Sequence, residues 1–354
     1  MSSPLIDEAE KSETTGGDCL RILTRKDFQS PQTVRWCPGC GDYSILAQIQ
    51  KILPELGIAR ENFVFVSGIG CSSRFPYYVN TYGFHGIHGR APSIATGVKC
   101  ANPDLSVWVV TGDGDGLSIG TNHVIHTIRR NIDLNILLFN NRIYGLTKGQ
   151  YSPTSEFGKK TKSSPMGTIE QPIRPIQMAL AAEGTFVART IAADPNHMRQ
   201  TLEAAANHRG TSFIEILQNC RVFNDRAFEE SSAGKDTKDD RILLRHGEPI
   251  RFGTGGGRGI AVRNMTPQVV DLESGEASVG ELLIHDAQAD SPALAALLAA
   301  LEPPEFPVAL GVFRNIERPT YDELMLSQIA ASTVQRGRGD VAKLLNSGTT
   351  WEVD

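Results

Sequence analysis

The 354-residue sequence has no long apolar run, little net charge and few cysteines. A membrane-spanning helix needs about 20 consecutive apolar residues, so we expect no membrane segment. The formal net charge of −5 leaves no excess of cations for nucleic acid. Six cysteines are too few for a disulfide scaffold of this length. Together with an acidic, polar N-terminus that does not resemble a signal peptide, they predict a cytoplasmic protein.

Composition and periodicity divide the chain into three parts. Residues 1–30 are polar and predict a flexible N-terminal tail. Residues 31–225 alternate strand-like apolar runs with helical patterns, which predicts an α/β domain on a doubly wound parallel sheet. Residues 226–354 show weaker periodicity, and we predict a smaller, irregular and partly extended C-terminal region.

One strand–helix–strand unit, at 106–141, organises the central domain. A β-branched apolar run at 106–111 ends at Gly-Asp-Gly, a helical pattern follows, and a second apolar run ends at Asn140 and Asn141. Such a crossover makes the two strands parallel and neighbouring. Asp113 and Asn141 therefore lie at adjacent carboxyl ends, where open α/β sheets bind ligands.

The residue types at these strand ends predict a magnesium-diphosphate site. Carboxylate and amide oxygens suit Mg²⁺, and the helix start after Gly112 offers free N–H groups to an anion. The lysine-bearing P-loop pattern is missing, which disfavours an NTPase. An EF-hand loop is disfavoured because Leu117 and Val124 occupy ligand positions. A plain turn at Gly-Asp-Gly is the simplest alternative.

Four cysteines lie in loops near the ends of predicted elements: Cys37, Cys40, Cys71 and Cys220. A thioredoxin-like Cys-x-x-Cys should follow an apolar strand, whereas the preceding residues 29–33 are polar. A structural zinc site usually has two local pairs, and here one pair meets two isolated cysteines. An iron–sulfur cluster accepts four distant thiolates. All three interpretations are open on the residues alone.

Five motifs occur in the order typical of one family. They are Trp-Cys-Pro-Gly-Cys-Gly at 36–41, Gly-Ile-Gly-Cys-Ser at 68–72, His-Gly-Ile-His-Gly-Arg-Ala at 85–91, Gly-Asp-Gly to Asn-Asn at 112–141, and Tyr-Gly-Leu-Thr-Lys-Gly-Gln at 144–150. Over about residues 30–320 the chain resembles the β subunit of the two-subunit 2-oxoacid:ferredoxin oxidoreductases, most closely their 2-oxoglutarate branch. The resemblance implies a sheet of the thiamine-diphosphate-binding (pyrophosphate-binding) type.

The resemblance also implies roles for individual residues. Mg²⁺ would be held by the side chains of Asp113 and Asn141 and by the carbonyl of Ile143. Thiamine diphosphate would be lined by Ile69, Gly70, Cys71, Ser72, His88, Gly114, Asp115, Gly145 and Leu146. One 4Fe-4S cluster would be held by Cys37, Cys40, Cys71 and Cys220. Cys71 would then belong to both sites.

The implied reaction is the oxidative decarboxylation of 2-oxoglutarate to succinyl-CoA and CO₂, with coenzyme A as co-substrate and electrons leaving through the cluster to ferredoxin. Arg74 and Lys148 are candidate partners of the distal carboxylate of the substrate. The alternatives are pyruvate or broad 2-oxoacid specificity, and a non-oxidative thiamine-dependent decarboxylase subunit. A non-catalytic iron–sulfur or zinc protein is a third.

Thiamine-dependent enzymes of this kind also need a pyrimidine-binding domain. After the predicted sheet about 120 residues remain, mostly loop-like, which is too short for a second doubly wound domain. We therefore predict an α subunit that supplies it, in a heterodimer or heterotetramer, with this chain inactive alone.

Overall fold

The computed structural model describes residues 23–228 and 241–353. Most of the predicted N-terminal tail lies outside these residues. Its described end is ordered: Arg25–Phe28 forms a 3₁₀-helix, and the buried ring of Phe28 packs edge-on against Phe63 at 5.8 Å between centroids. This aromatic contact packs the start of the described chain against Phe63, and the predicted flexible tail before residue 23 lies outside the described residues.

The predicted doubly wound parallel sheet is confirmed. Six of the strands in the described residues form its parallel part: β1 (Phe63–Ser67), β2 (Tyr82–His85), β3 (Ser106–Gly112), β4 (Leu134–Asn140), β5 (Phe186–Ile191) and β6 (Thr211–Leu217). Their spatial order is β2-β1-β3-β4-β6-β5, and each neighbouring pair is parallel. Strand β2 was not predicted, because it is a short edge strand whose four residues are all exposed.

Helices cover both faces of this sheet. They are α1 (Asp42–Ile52), α2 (Ala91–Ala101), α3 (Asp113–Gly116), α4 (Thr121–Arg130), α5 (Pro175–Ala181) and α6 (Pro195–Ala206). Side chains alternate along a strand, so Val107 and Val109 join the core under α2, α4 and α5, whereas Trp108 and Val110 join the core under α1 and α6. None of the helices in the described residues has the length and apolar character to span a bilayer.

The crossover helix predicted after Asp113 is divided in two. The single turn α3 is separated from α4 by the segment 117–120. A Cβ at Gly120 would lie 2.6 Å from the carbonyl oxygen of Asp115 and 2.8 Å from Cα of Gly89. Only glycine permits this approach, which brings the loop of Gly89 against the end of β3.

The C-terminal region is more regular than predicted. It contains β7 (Ile242–Leu244), β8 (Arg251–Phe252), β9 (Arg258–Arg263), β10 (Thr266–Asp271), α7 (Ala293–Ala299), β11 (Ala309–Asn315), α8 (Tyr321–Arg336) and α9 (Val341–Leu345). Strand β11 pairs antiparallel with β5, and β7 pairs with β11, so both extend the main sheet. Strands β8 to β10 form a separate antiparallel sheet. Local periodicity did not indicate these strands, because β11 pairs with a strand more than 100 residues away in sequence.

Candidate active site

A cavity of about 600 Å³ opens at the carboxyl ends of β1, β3, β4 and β6. The same cavity is lined by all the cofactor-contact residues that the resemblance implied: Ile69, Gly70, Cys71, Ser72, His88, Gly114, Asp115, Gly145 and Leu146. It is also lined by Asp113, Asn141 and Ile143. The fold thus brings the two predicted sets into one place, as expected for adjacent ends of parallel strands.

Asp113, the first residue after β3, is 2% exposed. Its Oδ2 atom accepts hydrogen bonds from Ser152 Oγ at 2.5 Å and from Thr154 Oγ1 at 2.7 Å. Burial raises the pKa of Asp113, and the hydroxyl hydrogen bonds oppose this rise. A cation bound to the carboxylate would offset the cost of burying its charge, so the site fits Mg²⁺ by its oxygen donors and by its burial.

The two adjacent asparagines have different surroundings. The amide of Asn140 is buried, donating to Glu215 Oε1 at 2.7 Å and accepting from Thr154 Oγ1 at 2.9 Å. Asn141 lines the cavity instead, and its Oδ1 accepts from the backbone N–H of Ile143 at 3.1 Å. Asn141 is therefore the amide of the pair that lines the cavity, and its role as a Mg²⁺ ligand stays a prediction.

Gly114 allows Tyr144 to close over the end of β3. A Cβ at Gly114 would lie 2.2 Å from the Tyr144 ring, and the Tyr144 hydroxyl donates to the Gly114 carbonyl at 2.9 Å. Only glycine fits beneath this ring, so the motif glycine serves packing between two walls of the cavity.

Asp115 also lines the cavity, but other parts of the protein occupy its carboxylate. Oδ1 accepts from the backbone N–H groups of Ile69 at 3.0 Å and Gly89 at 2.7 Å. Oδ2 accepts from Thr111 Oγ1 at 2.6 Å. We interpret Asp115 as the residue that fixes the loops after β1 and β2 against the end of β3.

Replacing Asp115 by alanine is expected to lower the free energy of unfolding by about 3 kcal/mol. The change leaves the backbone N–H groups of Ile69 and Gly89 without their acceptor and removes the shorter of the two hydrogen bonds of Thr111 Oγ1. Each unsatisfied buried group costs roughly 1–3 kcal/mol. Denaturant titration of the two proteins measures the difference. Asp104→Ala, in an exposed turn, is the control and should leave stability unchanged; an equal loss in both variants would contradict the assignment.

The four candidate cluster cysteines converge beside this cavity. Cys71 lines it, and a Cβ built on Gly145 would lie 3.6 Å from both Cys71 Sγ and Cys220 Sγ. Cys40 Sγ lies 3.8 Å from the amide nitrogen of Gln218, another cavity residue. Cys37 is the exposed cysteine of the four, and its charge raises the pKa of Cys71.

Hydrogen bonds tie the three cysteine-bearing loops to one another. Trp36 Nε1 donates to the Cys71 carbonyl at 2.7 Å, and the Gly41 N–H donates to the Asn219 carbonyl at 3.3 Å. Asn224 Nδ2 donates to the Asn141 carbonyl at 2.9 Å, which joins the turn after Cys220 to the candidate magnesium loop. The thiols are therefore held by a connected scaffold.

Four thiols are the donors that an iron–sulfur cluster takes, and the cluster itself stays a prediction. Within 23–228 and 241–353, no three His, Cys, Asp or Glu side chains are grouped closely enough to hold one metal ion. Burial raises the pKa of Cys71 to about 12 and also raises that of Cys40, so cationic iron would compensate buried thiolates.

The structure does not bring the two predicted substrate residues into the cavity. Arg74 lies in the 3₁₀-helix Ser72–Tyr77, close enough for its charge to lower the pKa of Cys71. Lys148 is exposed and has a left-handed backbone with φ +76°. Neither side chain lines the cavity walls, and their contact with substrate stays a prediction.

Sequence reasoning missed three residues at this site. Ser152 and Thr154 belong to a stretch that was predicted only as a loop over the ligand, and both donate hydrogen bonds to Asp113. Gln218 lies at the end of β6, two residues before Cys220. Its position at the carboxyl end of a parallel strand was the one available signal.

Comparison with known proteins agrees with this geometry. The family model described as thiamine pyrophosphate enzyme, C-terminal TPP binding domain, matches residues 68–216. The 2-oxoglutarate oxidoreductase subunit KorB of Mycobacterium tuberculosis is 54% identical over 333 residues, which cover 93% of this chain and 88% of that protein. The chain belongs to the KorB family.

Two further proteins are similar to this KorB-family chain. A solved 2-oxoglutarate:ferredoxin oxidoreductase from Magnetococcus marinus, with 2-oxoglutarate, coenzyme A and succinyl-CoA bound, superposes with a TM-score of 0.73 at 30% identity, covering 94% of this chain and 98% of that chain. The β subunit of 2-oxoacid:ferredoxin oxidoreductase 1 from Aeropyrum pernix is 49% identical over 190 residues, 54% of this chain and 60% of that protein. The family resemblance drawn from the motifs is confirmed.

Proposed function

We propose that this chain is the catalytic β subunit of a 2-oxoglutarate:ferredoxin oxidoreductase that forms succinyl-CoA and CO₂. The proposal rests mainly on one observation: the candidate cofactor cavity and the candidate cluster cysteines meet at Cys71 and Gly145. Cys71 lines the candidate cofactor cavity, and the Cys71 and Cys220 thiols both lie against Gly145 of the same cavity. A redox centre beside a decarboxylation site suits an oxidative reaction better than a non-oxidative one.

Each candidate ligand set has its own task. Asp113, Asn141 and the Ile143 carbonyl would hold Mg²⁺ against the diphosphate, and Cys37, Cys40, Cys71 and Cys220 would hold the 4Fe-4S cluster. When bound, thiamine diphosphate supplies the nucleophile and electron sink for loss of CO₂, while the cluster carries single electrons. The protein orients these groups: Ser152 and Thr154 fix the Asp113 carboxylate, and Asp115 fixes the loops after β1 and β2.

The similarity to a KorB subunit over most of the chain supports 2-oxoglutarate as the 2-oxoacid, with coenzyme A as co-substrate. Relatives named for 2-oxoacids in general make broad specificity the second candidate.

Arg74 remains the first candidate partner of the distal carboxylate of 2-oxoglutarate, and Lys148 is the second candidate. Arg74→Ala should raise the Michaelis constant for 2-oxoglutarate without raising that for coenzyme A. An unchanged constant would exclude Arg74.

An α subunit is proposed to cover the cavity and to supply the pyrimidine-binding domain. Two large apolar side chains on the cavity wall are exposed, Ile119 at 58% and Leu146 at 50%. The edge strand β2 also has two exposed aromatic side chains, Tyr82 at 66% and Phe84 at 48% exposure. Exposed apolar surface around a site and an open sheet edge are features that a partner subunit buries.

The test is an anaerobic assay of the chain co-expressed with its candidate α subunit. We would supply thiamine diphosphate, Mg²⁺, coenzyme A and 2-oxoglutarate and follow reduction of a viologen dye. Dye reduction that needs coenzyme A, 2-oxoglutarate and both subunits is the expected result. CO₂ release without dye reduction, from protein with its iron intact, would indicate a non-oxidative decarboxylase. Dye reduction with pyruvate that is as fast as with 2-oxoglutarate, or faster, would favour broad specificity.

A further inference from the structure

Gln218 connects the cofactor cavity with the cysteine set. It is the first residue after β6, it is 2% exposed, and it lines the cavity. Its backbone N–H donates to the carbonyl of Asn140 at 2.9 Å, which fixes it beside the candidate magnesium loop. The residue thus stands at the carboxyl end of the sheet, between the two candidate sites.

The side-chain amide of Gln218 has a defined orientation. Nε2 donates to Asp42 Oδ1 at 2.6 Å and lies 3.8 Å from Cys40 Sγ, within hydrogen-bond range for sulfur. A primary amide has two N–H donors, so one nitrogen serves both acceptors. Asp42 is fully buried and accepts this bond, so it keeps the nitrogen, and not the amide oxygen, directed at the sulfur.

We propose that Gln218 is a positioning residue that donates an N–H···S hydrogen bond to the cluster ligand Cys40 and thereby raises the reduction potential of the cluster. The inference rests on the proposed cluster ligands. Reduction adds negative charge to the cluster and its sulfurs, so a donor to one sulfur stabilises the reduced form more than the oxidised form. Hydrogen bonds to ligand sulfurs are among the factors that set the potentials of iron–sulfur clusters.

Gln218→Met in the complete αβ enzyme tests this inference. Methionine keeps the length of the side chain and removes both donors. We expect the equilibrium for one-electron reduction to become about tenfold less favourable, a shift of about 59 mV to a more negative midpoint potential in a dithionite titration followed by electron paramagnetic resonance. The iron content per β subunit should stay unchanged.

Gln50→Met is the matched control. Gln50 lies on α1 and is also a buried glutamine, 4% exposed. Its Nε2 donates to the Tyr78 carbonyl at 3.0 Å. The substitution removes the same chemical group away from the cysteines, so it should alter stability but leave the midpoint potential in place. An equal shift in both variants, or no shift in Gln218→Met, would overturn the inference.

Wild-type enzyme gives a second readout that needs no variant. Glutamine labelled with ¹⁵N at the side-chain amide should show a nitrogen coupling to the reduced cluster in pulsed electron paramagnetic resonance. Absence of that coupling overturns the role of Gln218 even if Gln218→Met fails to assemble. Wild-type complex without reducible iron would overturn the proposed cluster as well, which distinguishes the two failures.

Discussion

Replacing Asp113 by asparagine is expected to abolish 2-oxoglutarate-dependent dye reduction and to weaken thiamine diphosphate binding by at least about 100-fold. Asparagine has nearly the same shape and keeps an oxygen for Ser152 and Thr154, so the loop contacts should survive. It lacks the charge that Mg²⁺ requires from this buried position. Calorimetric titration of thiamine diphosphate at several Mg²⁺ concentrations measures the change directly.

Asp104→Asn is the control for this prediction, because Asp104 is an exposed aspartate outside the cavity. It should leave both the affinity and the rate unchanged. Full thiamine diphosphate affinity in Asp113→Asn would contradict the magnesium site. Loss of affinity accompanied by a large loss of stability would show instead that Asp113 acts through its hydrogen bonds.

Replacing Cys220 by alanine is expected to remove the cluster while thiamine diphosphate still binds. Cys220 does not line the cavity, whereas Cys71 does, so this variant separates electron transfer from cofactor binding. We expect loss of iron, loss of the broad visible absorbance of the cluster and loss of dye reduction. Iron analysis, the visible spectrum and calorimetry of thiamine diphosphate on the same sample give the three readouts.

Cys100→Ala is the matched control for the cluster prediction. Cys100 is a partly buried free cysteine on α2, and it does not line the cavity. This variant should keep its iron, its visible spectrum and its activity. Full iron content in Cys220→Ala would remove Cys220 from the ligand set.

Local pattern in the sequence determined the central sheet and the position of its site. Strands β3 and β4 are mainly apolar runs that are followed directly by Asp113 and Asn141, and the intervening crossover requires those ends to be adjacent. The order of the five motifs determined the family. Each of these inferences depends on neighbours in sequence or on one rule of connection, which is why they needed no coordinates.

The tertiary structure alone decided the contacts between distant segments. The bonds of Gln218 to Asp42 and Cys40 join residues that are 176 and 178 positions apart. The pairing of β11 with β5 also joins residues more than 100 positions apart, and the C-terminal strands gave no periodic signal strong enough to predict it. The reason is physical: buried polar groups must find partners, and which partners they find depends on how loops from different strand ends meet.

The sequence by itself therefore determined where the site lies and which chemistry it suits. Only the packed chain decided which side chains hold Asp113 and Cys40 in place.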